Sequence, residues 1–207
     1  MKTQQDIWHS LIAGPQAGET LHTAMECVAQ GLSDMAGQII IHNVPKIRKI
    51  PISQVATQAG APEAEIVGIY LQMESGLQGR VILILPLGFA LNLVDLVMEL
   101  SPGTSSSLGL MERSVLAEVG NLTLSYFLNA VSELSGQSEM LQPSPPAVIV
   151  DMLAAILNLF IASAAAMSDD LLIIETVFTD IARTVQFRMW MLPGTTSNQE
   201  HKQDGQK

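Results

Sequence analysis

The stretch MERSVLAEVGNLTLSYFLNAVSEL, residues 111–134, decides how the rest of this chain is interpreted. Its apolar side chains recur every three or four residues, which predicts an amphipathic helix. One apolar row consists of Val115, Val119, Leu122 and Tyr126. Gly136 comes just after the last periodic residue, where helices commonly end. We therefore predict a long helix near the middle of the chain.

A second row on this predicted helix is polar. It consists of Ser114, Glu118, Asn121 and Ser125, at steps of four, three and four residues. The solvated face of an ordinary amphipathic helix satisfies the same spacing. Such a face usually carries Lys, Glu, Arg and Gln, whereas this row is nearly uncharged and includes an asparagine, a mediocre helix former. This composition suits close approach by a partner.

A carboxylate and a carboxamide one turn apart can divide the work of a phosphoryl-transfer site. Glu118 would pair with a cation of the partner, while the Asn121 amide would hold a water in line with a phosphoryl group. Neither residue needs to act as a nucleophile, because phosphoryl transfer depends mostly on positioning and electrostatics.

The sequence before the central helix predicts a helix, an edge strand, a hairpin and a second helix. The strand-like run contains two prolines, which favour an edge or bulged position. The second arm of the hairpin is apolar from Val81 to Leu85, which indicates a strand covered on both faces. In order, we predict helix 19–37, strand 39–52, loop 53–63, hairpin strands 64–74 and 79–86, and helix 88–100.

The segment SPGTSSS, residues 101–107, is the clearest linker in the chain. Beyond the central helix we predict a proline-rich turn, an apolar helix at 147–166, and closing strands at 170–178 and 184–192. Each half thus offers a long helix, a second helix and two adjacent strands, as an ancient duplication would. We predict one domain over residues 1–192, made of halves 17–100 and 109–192, and a disordered polar tail over 193–207.

Composition limits the function classes. The chain has 207 residues, 48% of them hydrophobic, and a formal net charge of −10, without the basic footprint that nucleic-acid binding needs. The single cysteine, Cys27, cannot form an internal disulfide, and the N-terminal residues lack the apolar run of a secretory signal. We therefore expect a cytoplasmic protein.

The apolar segment 147–166 reaches the length that spans a bilayer. It contains Asp151 and Asn158, and Asp169 and Asp170 follow it in place of Lys or Arg. An unpaired Asp in hydrocarbon is costly, and acidic flanks give no topology signal. We favour a buried helix of a soluble protein, with a membrane-anchored protein as an alternative.

At the polar row the sequence resembles the CheC-type chemotaxis phosphatases, a group that includes CheX and FliY. The resemblance rests on Ser114-x3-Glu118-x2-Asn121, its continuation LTLSYFLNAVSEL, and the PSPP of residues 143–146. Similar segments are VPKIRKIPI (44–52) and DMLAAIL (151–157) followed by LLIIETVF (171–178). The resemblance covers residues 17–192.

This resemblance implies an α/β (α+β) fold with pseudo-twofold symmetry, in which two long helices and a second helix pair pack with antiparallel strands. It implies hydrolysis of the aspartyl-phosphate on a CheY-type response regulator. Glu118 would dock the regulator's lysine, Asn121 would orient the attacking water, and Ser114 would support them. The Mg²⁺ would belong to the regulator, so we expect no metal or cofactor on this chain; its four histidines show no ligand spacing.

Two departures from the family pattern concern the prolines and the first half. The family places a proline after 22 intervening residues, but from Asn121 that position is Ser144, so we predict a small insertion before the prolines. In the first half, Glu19-x2-His22 followed by Pro45 keeps the spacing, but His22 stands where Asn is expected. The first site is therefore interpreted as degenerate.

The main alternative is a non-catalytic CheC-like adaptor that binds a receptor deamidase, CheD, or the flagellar switch. The degenerate first half favours it. A CheD-type partner is also compatible with the phosphatase reading. We expect a monomer, since a chain with two pseudosymmetric halves completes its fold without a second copy.

Overall fold

A computed structural model describes residues 4–74, 77–136, 141–165 and 168–194. The helices are α1 (Gln4–Ile12), α2 (Ala17–Ala36), α3 (Val55–Ala59), α4 (Leu87–Val97), α5 (Leu110–Ser135) and α6 (Leu153–Ala165). The strands are β1 (Ile40–His42), β2 (Lys46–Pro51), β3 (Glu65–Met73), β4 (Gly79–Pro86), β5 (Ala147–Met152), β6 (Asp170–Asp180) and β7 (Gln186–Pro193).

The strands form one seven-stranded antiparallel sheet in the order β1-β6-β7-β4-β3-β5, with β2 also pairing with β6. Helices α1, α2, α4 and α5 cover one face over the larger apolar core, and α3 and α6 cover the other. Strand β4 lies in the middle and is buried from Val81 to Leu85, which confirms that prediction. The predicted mixture of helices and antiparallel strands is confirmed.

The sheet is built symmetrically about its central β4–β7 pair. Hairpin β3–β4 lies on one side and hairpin β6–β7 on the other, and each outer hairpin strand pairs with an edge strand. In the β4–β7 pair Arg80 faces Leu192, and Ile84 faces Arg188, so the two arginines hold mirrored positions. This pseudo-twofold arrangement agrees with the fold that the family resemblance implies.

The two sheet edges repeat one hydrogen-bonding device. Asn43 donates its backbone N–H to the Val177 carbonyl (3.0 Å) and accepts the Val177 N–H on Oδ1 (2.8 Å). Ser144 donates its N–H to the Gln72 carbonyl (2.8 Å) and accepts the Gln72 N–H on Oγ (2.9 Å). In both cases a side chain replaces a backbone carbonyl in the ladder and the edge strand begins beyond it.

The structure differs from the sequence prediction at four places. The strand predicted over 39–52 is two strands, β1 and β2. Residues 147–152 form β5 and the helix begins only at Leu153, because this half-buried run pairs with β3 at the sheet edge. The predicted loop 53–63 contains α3, preceded by a 3₁₀ turn at 52–54. Helix α1 was not predicted. Within the described parts of the chain, no helix is long and apolar enough to cross a membrane.

The C-terminal tail is only partly described. Strand β7 extends through Pro193, and Gly194 donates its N–H to the Gln78 carbonyl at 2.8 Å. The predicted disorder of the remaining tail concerns residues 195–207, which lie outside the described residues. The division into halves 17–100 and 109–192 stays a prediction.

Candidate functional site

Helix α5 carries the candidate site on the side turned away from the sheet. Its opposite side is buried, and Gly120 lies so close to β3 that a Cβ there would be 2.5 Å from Ile69 Cγ2. Such an approach requires glycine. Glu118 is exposed and Asn121 half-exposed on the other side of the helix. The sheet therefore fixes the height and rotation at which these two side chains are presented.

Glu118 and Asn121 are available for an outside partner. They are three residues apart, about 4.5 Å along the helix axis. Neither side chain makes a hydrogen bond or an ion pair with any residue that the structure describes. Together they offer one negative charge and one amide that can both donate and accept.

Ser114 lies one turn before Glu118 and is also exposed. Its Oγ donates to the Leu110 carbonyl within the first turn of α5, at 2.9 Å. Its hydroxyl is therefore engaged with the helix backbone. Ser125, at the other end of the row, is half-exposed, so the whole polar row is accessible along one side of α5.

The first-half residues lie at matching positions on α2 but in different surroundings. Glu19 is exposed near the helix start. His22 Nε2 lies 3.4 Å from Glu26 Oε1, and the ring centroid of His22 is 5.0 Å from that of His42 on β1. His22 Nδ1 is buried without a hydrogen-bond partner among the described residues. An imidazole held between Glu26 and His42 is less free than the Asn121 amide.

The structure accounts for the offset of the prolines. Both long helices end at a glycine in the left-handed conformation, Gly37 and Gly136. Pro45 directly precedes β2 and Pro146 directly precedes β5. The segment between helix and strand covers residues 38–45 in the first half and 137–146 in the second, so the second is two residues longer. Residues 137–140 of it lie outside the described residues.

A buried carboxylate that sequence reasoning missed holds the linker before α5. Asp95 is 2% exposed and accepts backbone N–H groups of Gly103 (2.7 Å), Thr104 (3.0 Å) and Ser105 (2.8 Å). Hydrogen bonds from the Ser105 side chain and from these N–H groups outweigh burial and lower the Asp95 pKa. Asp95 sits within an otherwise apolar helix, and that interruption was the available signal.

Comparison with known proteins finds curated relatives and many similar structures. No family model matches the chain. It is 23% identical over 169 residues to the CheY-P phosphatase CheC of Bacillus subtilis, covering 80% of each protein. Thermotoga maritima FliY has a similar structure, with a TM-score of 0.69 and 21% identity over 89% of this chain and 92% of that chain.

A chain of the CheX–CheY–BeF₃–Mg²⁺ complex from Borrelia burgdorferi also has a similar structure. Its TM-score is 0.54 and its identity 13%, over 84% of this chain and 96% of that chain. At these identities the structural likenesses show a shared fold. The relative and the shared fold together confirm the resemblance that the sequence predicts.

Proposed function

We propose that this chain, which is similar to the CheC of Bacillus subtilis and shares its fold with FliY and CheX, hydrolyses the aspartyl-phosphate of a CheY-type response regulator. Asn121 orients the attacking water, and Glu118 docks a lysine of the regulator. The chain is then a protein phosphatase, and its active site is the one on α5 in the second half, formed by Glu118 and Asn121.

One observation carries the proposal: a carboxylate and a carboxamide that have no partner among the described residues stand one turn apart on helix α5. Gly120 holds the opposite side of that helix against β3, so both side chains rest on a fixed backbone. Preorganised polar groups stabilise a transition state without reorganising when the reaction occurs. Groups on a helix are held more rigidly than groups on a loop.

The remaining chemistry would come from the partner. Phosphoryl transfer needs a metal ion to neutralise developing charge, and we expect that Mg²⁺ on the regulator. The Asn121 side-chain oxygen would accept a hydrogen bond from the water and so direct the water's lone pair to phosphorus. Glu118 would supply the charge that orients the two proteins, since opposite charges across an interface fix register.

The first site is expected to contribute little. A neutral imidazole donates one hydrogen bond and accepts one, but His22 already lies between Glu26 and His42. The contacts of His22 with Glu26 and with His42 must both change before the imidazole can enter the active site of a partner. We therefore assign activity to Glu118 and Asn121.

The test follows loss of phosphate from a phosphorylated CheY-type regulator, with wild type and Asn121→Ala compared at equal concentration. We expect Asn121→Ala to slow the stimulated loss by about 100-fold, because a misplaced water forfeits the orientation that the amide provides. The matched control is Asn129→Ala, which removes an exposed amide eight residues further along the same helix. It should leave the rate unchanged.

Two results would contradict the proposal. Equal rates for wild type and Asn121→Ala would remove Asn121 from the reaction. Binding of the phosphorylated regulator by the wild type without any faster loss of phosphate would favour the alternative, a non-catalytic adaptor that binds a CheD-type deamidase or the flagellar switch.

A further inference from the structure

Two cavities open on the face of the sheet that α3 and α6 cover. One, about 430 Å³, is lined by residues near the β3–β4 end: Gln72, Met73, Glu74, Arg80, Ala164 and Leu192 among others. The other, about 190 Å³, is lined by Val177, Ile84, Arg188 and neighbours. We call them the Arg80 cavity and the Arg188 cavity.

The register of the sheet makes these cavities pseudo-twofold equivalents. Arg80 faces Gln72 on β3 and Leu192 on β7. Arg188 faces Val177 on β6 and Ile84 on β4. Each cavity therefore has an arginine on a central strand, flanked by a residue of the same hairpin and one of the other hairpin.

In the Arg188 cavity the arginine already has partners. Its Nε lies 3.5 Å from Oε2 of Glu175, and one of its terminal nitrogens donates to the Ala59 carbonyl. Glu175 is buried, and its Oε2 also accepts the indole N–H of Trp190 at 2.7 Å. Glu175 is thus an ion-pair partner of Arg188, and its other carboxylate oxygen lies 3.5 Å from a nitrogen of Arg48. The hydrogen bond of Arg188 goes to the Ala59 carbonyl.

In the Arg80 cavity, the described residues place no carboxylate at the position equivalent to Glu175. Glu175 faces Trp190 next to Arg188, and the matching place next to Arg80 is taken by Tyr70, which faces Ile82. The Tyr70 hydroxyl accepts the Gln72 amide at 2.8 Å. The half-buried Arg80 guanidinium makes no hydrogen bond or ion pair with any residue that the structure describes.

We propose that the Arg80 cavity binds a small molecule bearing a carboxylate, which takes the place that Glu175 holds beside Arg188. A guanidinium forks onto a carboxylate with two parallel N–H···O bonds, and such bonds are stronger than neutral ones. The volume suits a small ligand. Leu192, Pro193 and Ala164 provide apolar contact for its remainder.

Glu74 also lines this cavity, and its side chain is exposed. It forms no ion pair with Arg80. Its charge opposes an incoming carboxylate, since like charges at close range repel. The cavity therefore combines one attracting and one repelling group, and neutralising Glu74 should strengthen binding. Neutralising Glu74 and removing Arg80 should therefore change the ligand affinity in opposite directions.

The probe is benzoate, with benzamide as its uncharged counterpart, titrated into the full chain labelled with ¹⁵N. We expect benzoate to shift the Arg80 Nε–H resonance and benzamide to leave it unmoved at equal concentration. Arg80→Leu should weaken benzoate binding at least about tenfold, as expected for loss of a charged hydrogen-bond pair. Glu74→Gln should tighten it.

Lys46→Leu serves as the matched control, because it removes one exposed positive charge on strand β2, which pairs with β6 and not with the strands beside Arg80. It should leave benzoate affinity unchanged. Arg80→Lys keeps the charge but loses the fork, and should bind benzoate with intermediate affinity. Equal binding of benzamide, undiminished binding by Arg80→Leu, or an equal loss with Lys46→Leu would each overturn the proposal.

Discussion

Asn121 and His22 each follow a glutamate by three residues on one of the two long helices, yet they present different chemistry. The Asn121 amide is free of described partners, whereas His22 contacts Glu26 and His42. A side chain that must enter a partner's active site cannot also be held by its own protein. At the scale of single residues, the two halves therefore differ in what they leave unpaired.

We predict that His22→Ala leaves dephosphorylation of the regulator within about twofold of wild type, as for surface substitutions away from key contacts. The measurement is the same phosphate-loss assay, run beside Asn121→Ala. A loss with His22→Ala comparable to that with Asn121→Ala would mean that the first site works too. Thermal unfolding of both variants separates that result from misfolding.

At the scale of elements, glycines allow helix α5 to pack closely against its neighbours. Gly120 faces Ile69 on β3, and at this approach any side chain must displace the Ile69 side chain or move the helix. Gly31 of α2 plays a similar part between the helices, since a Cβ there would be 2.2 Å from the Tyr126 ring of α5. The close packing of α5 on both neighbours explains why its polar row points in one defined direction.

Gly120→Ala should destabilise the fold by about 1–3 kcal/mol, because the added methyl overpacks a buried contact. Gly18→Ala is the matched control: Gly18 is also helical, but a Cβ there meets nothing within 4 Å. It should stabilise by about 0.5–1 kcal/mol, the usual gain from replacing glycine in a helix. Denaturant unfolding measures both. A neutral Gly120→Ala would show that α5 can move off the sheet freely.

Over the whole molecule, the two hairpins meet in one sheet, and the segment between α4 and α5 is one of the connections on the chain between them. Asp95 fastens that connection by accepting three backbone N–H groups while almost fully buried. Backbone N–H groups that would otherwise lack partners are satisfied by one carboxylate. The linker is thus tied to the fold although its own sequence is rich in Ser, Gly and Pro.

Asp95→Asn should lower the unfolding temperature at pH 7 more than Asp169→Asn does, since Asp169 is exposed. Because the folded pKa of Asp95 is lowered, the carboxylate stabilises the fold above its unfolded value of about 3.9 and loses this contribution as pH falls through the folded value. The difference between wild type and Asp95→Asn should therefore shrink below about pH 4. If the difference in unfolding temperature between wild type and Asp95→Asn did not change with pH, the charge of the Asp95 carboxylate would not be its cause.

The sequence by itself determined the long helices, the β3–β4 hairpin, the two closing strands, the fully covered strand β4 and the polar row of α5, because each depends on local periodicity and on glycine at helix ends. It could not separate β5 from α6, since an apolar run without a clear period suits either element until a neighbouring strand pairs with it. Nor could it place Arg80 opposite Leu192 or His22 against His42. Those contacts join residues far apart in the chain: the register of the folded sheet sets the first, and the packing of helix α2 on strand β1 sets the second.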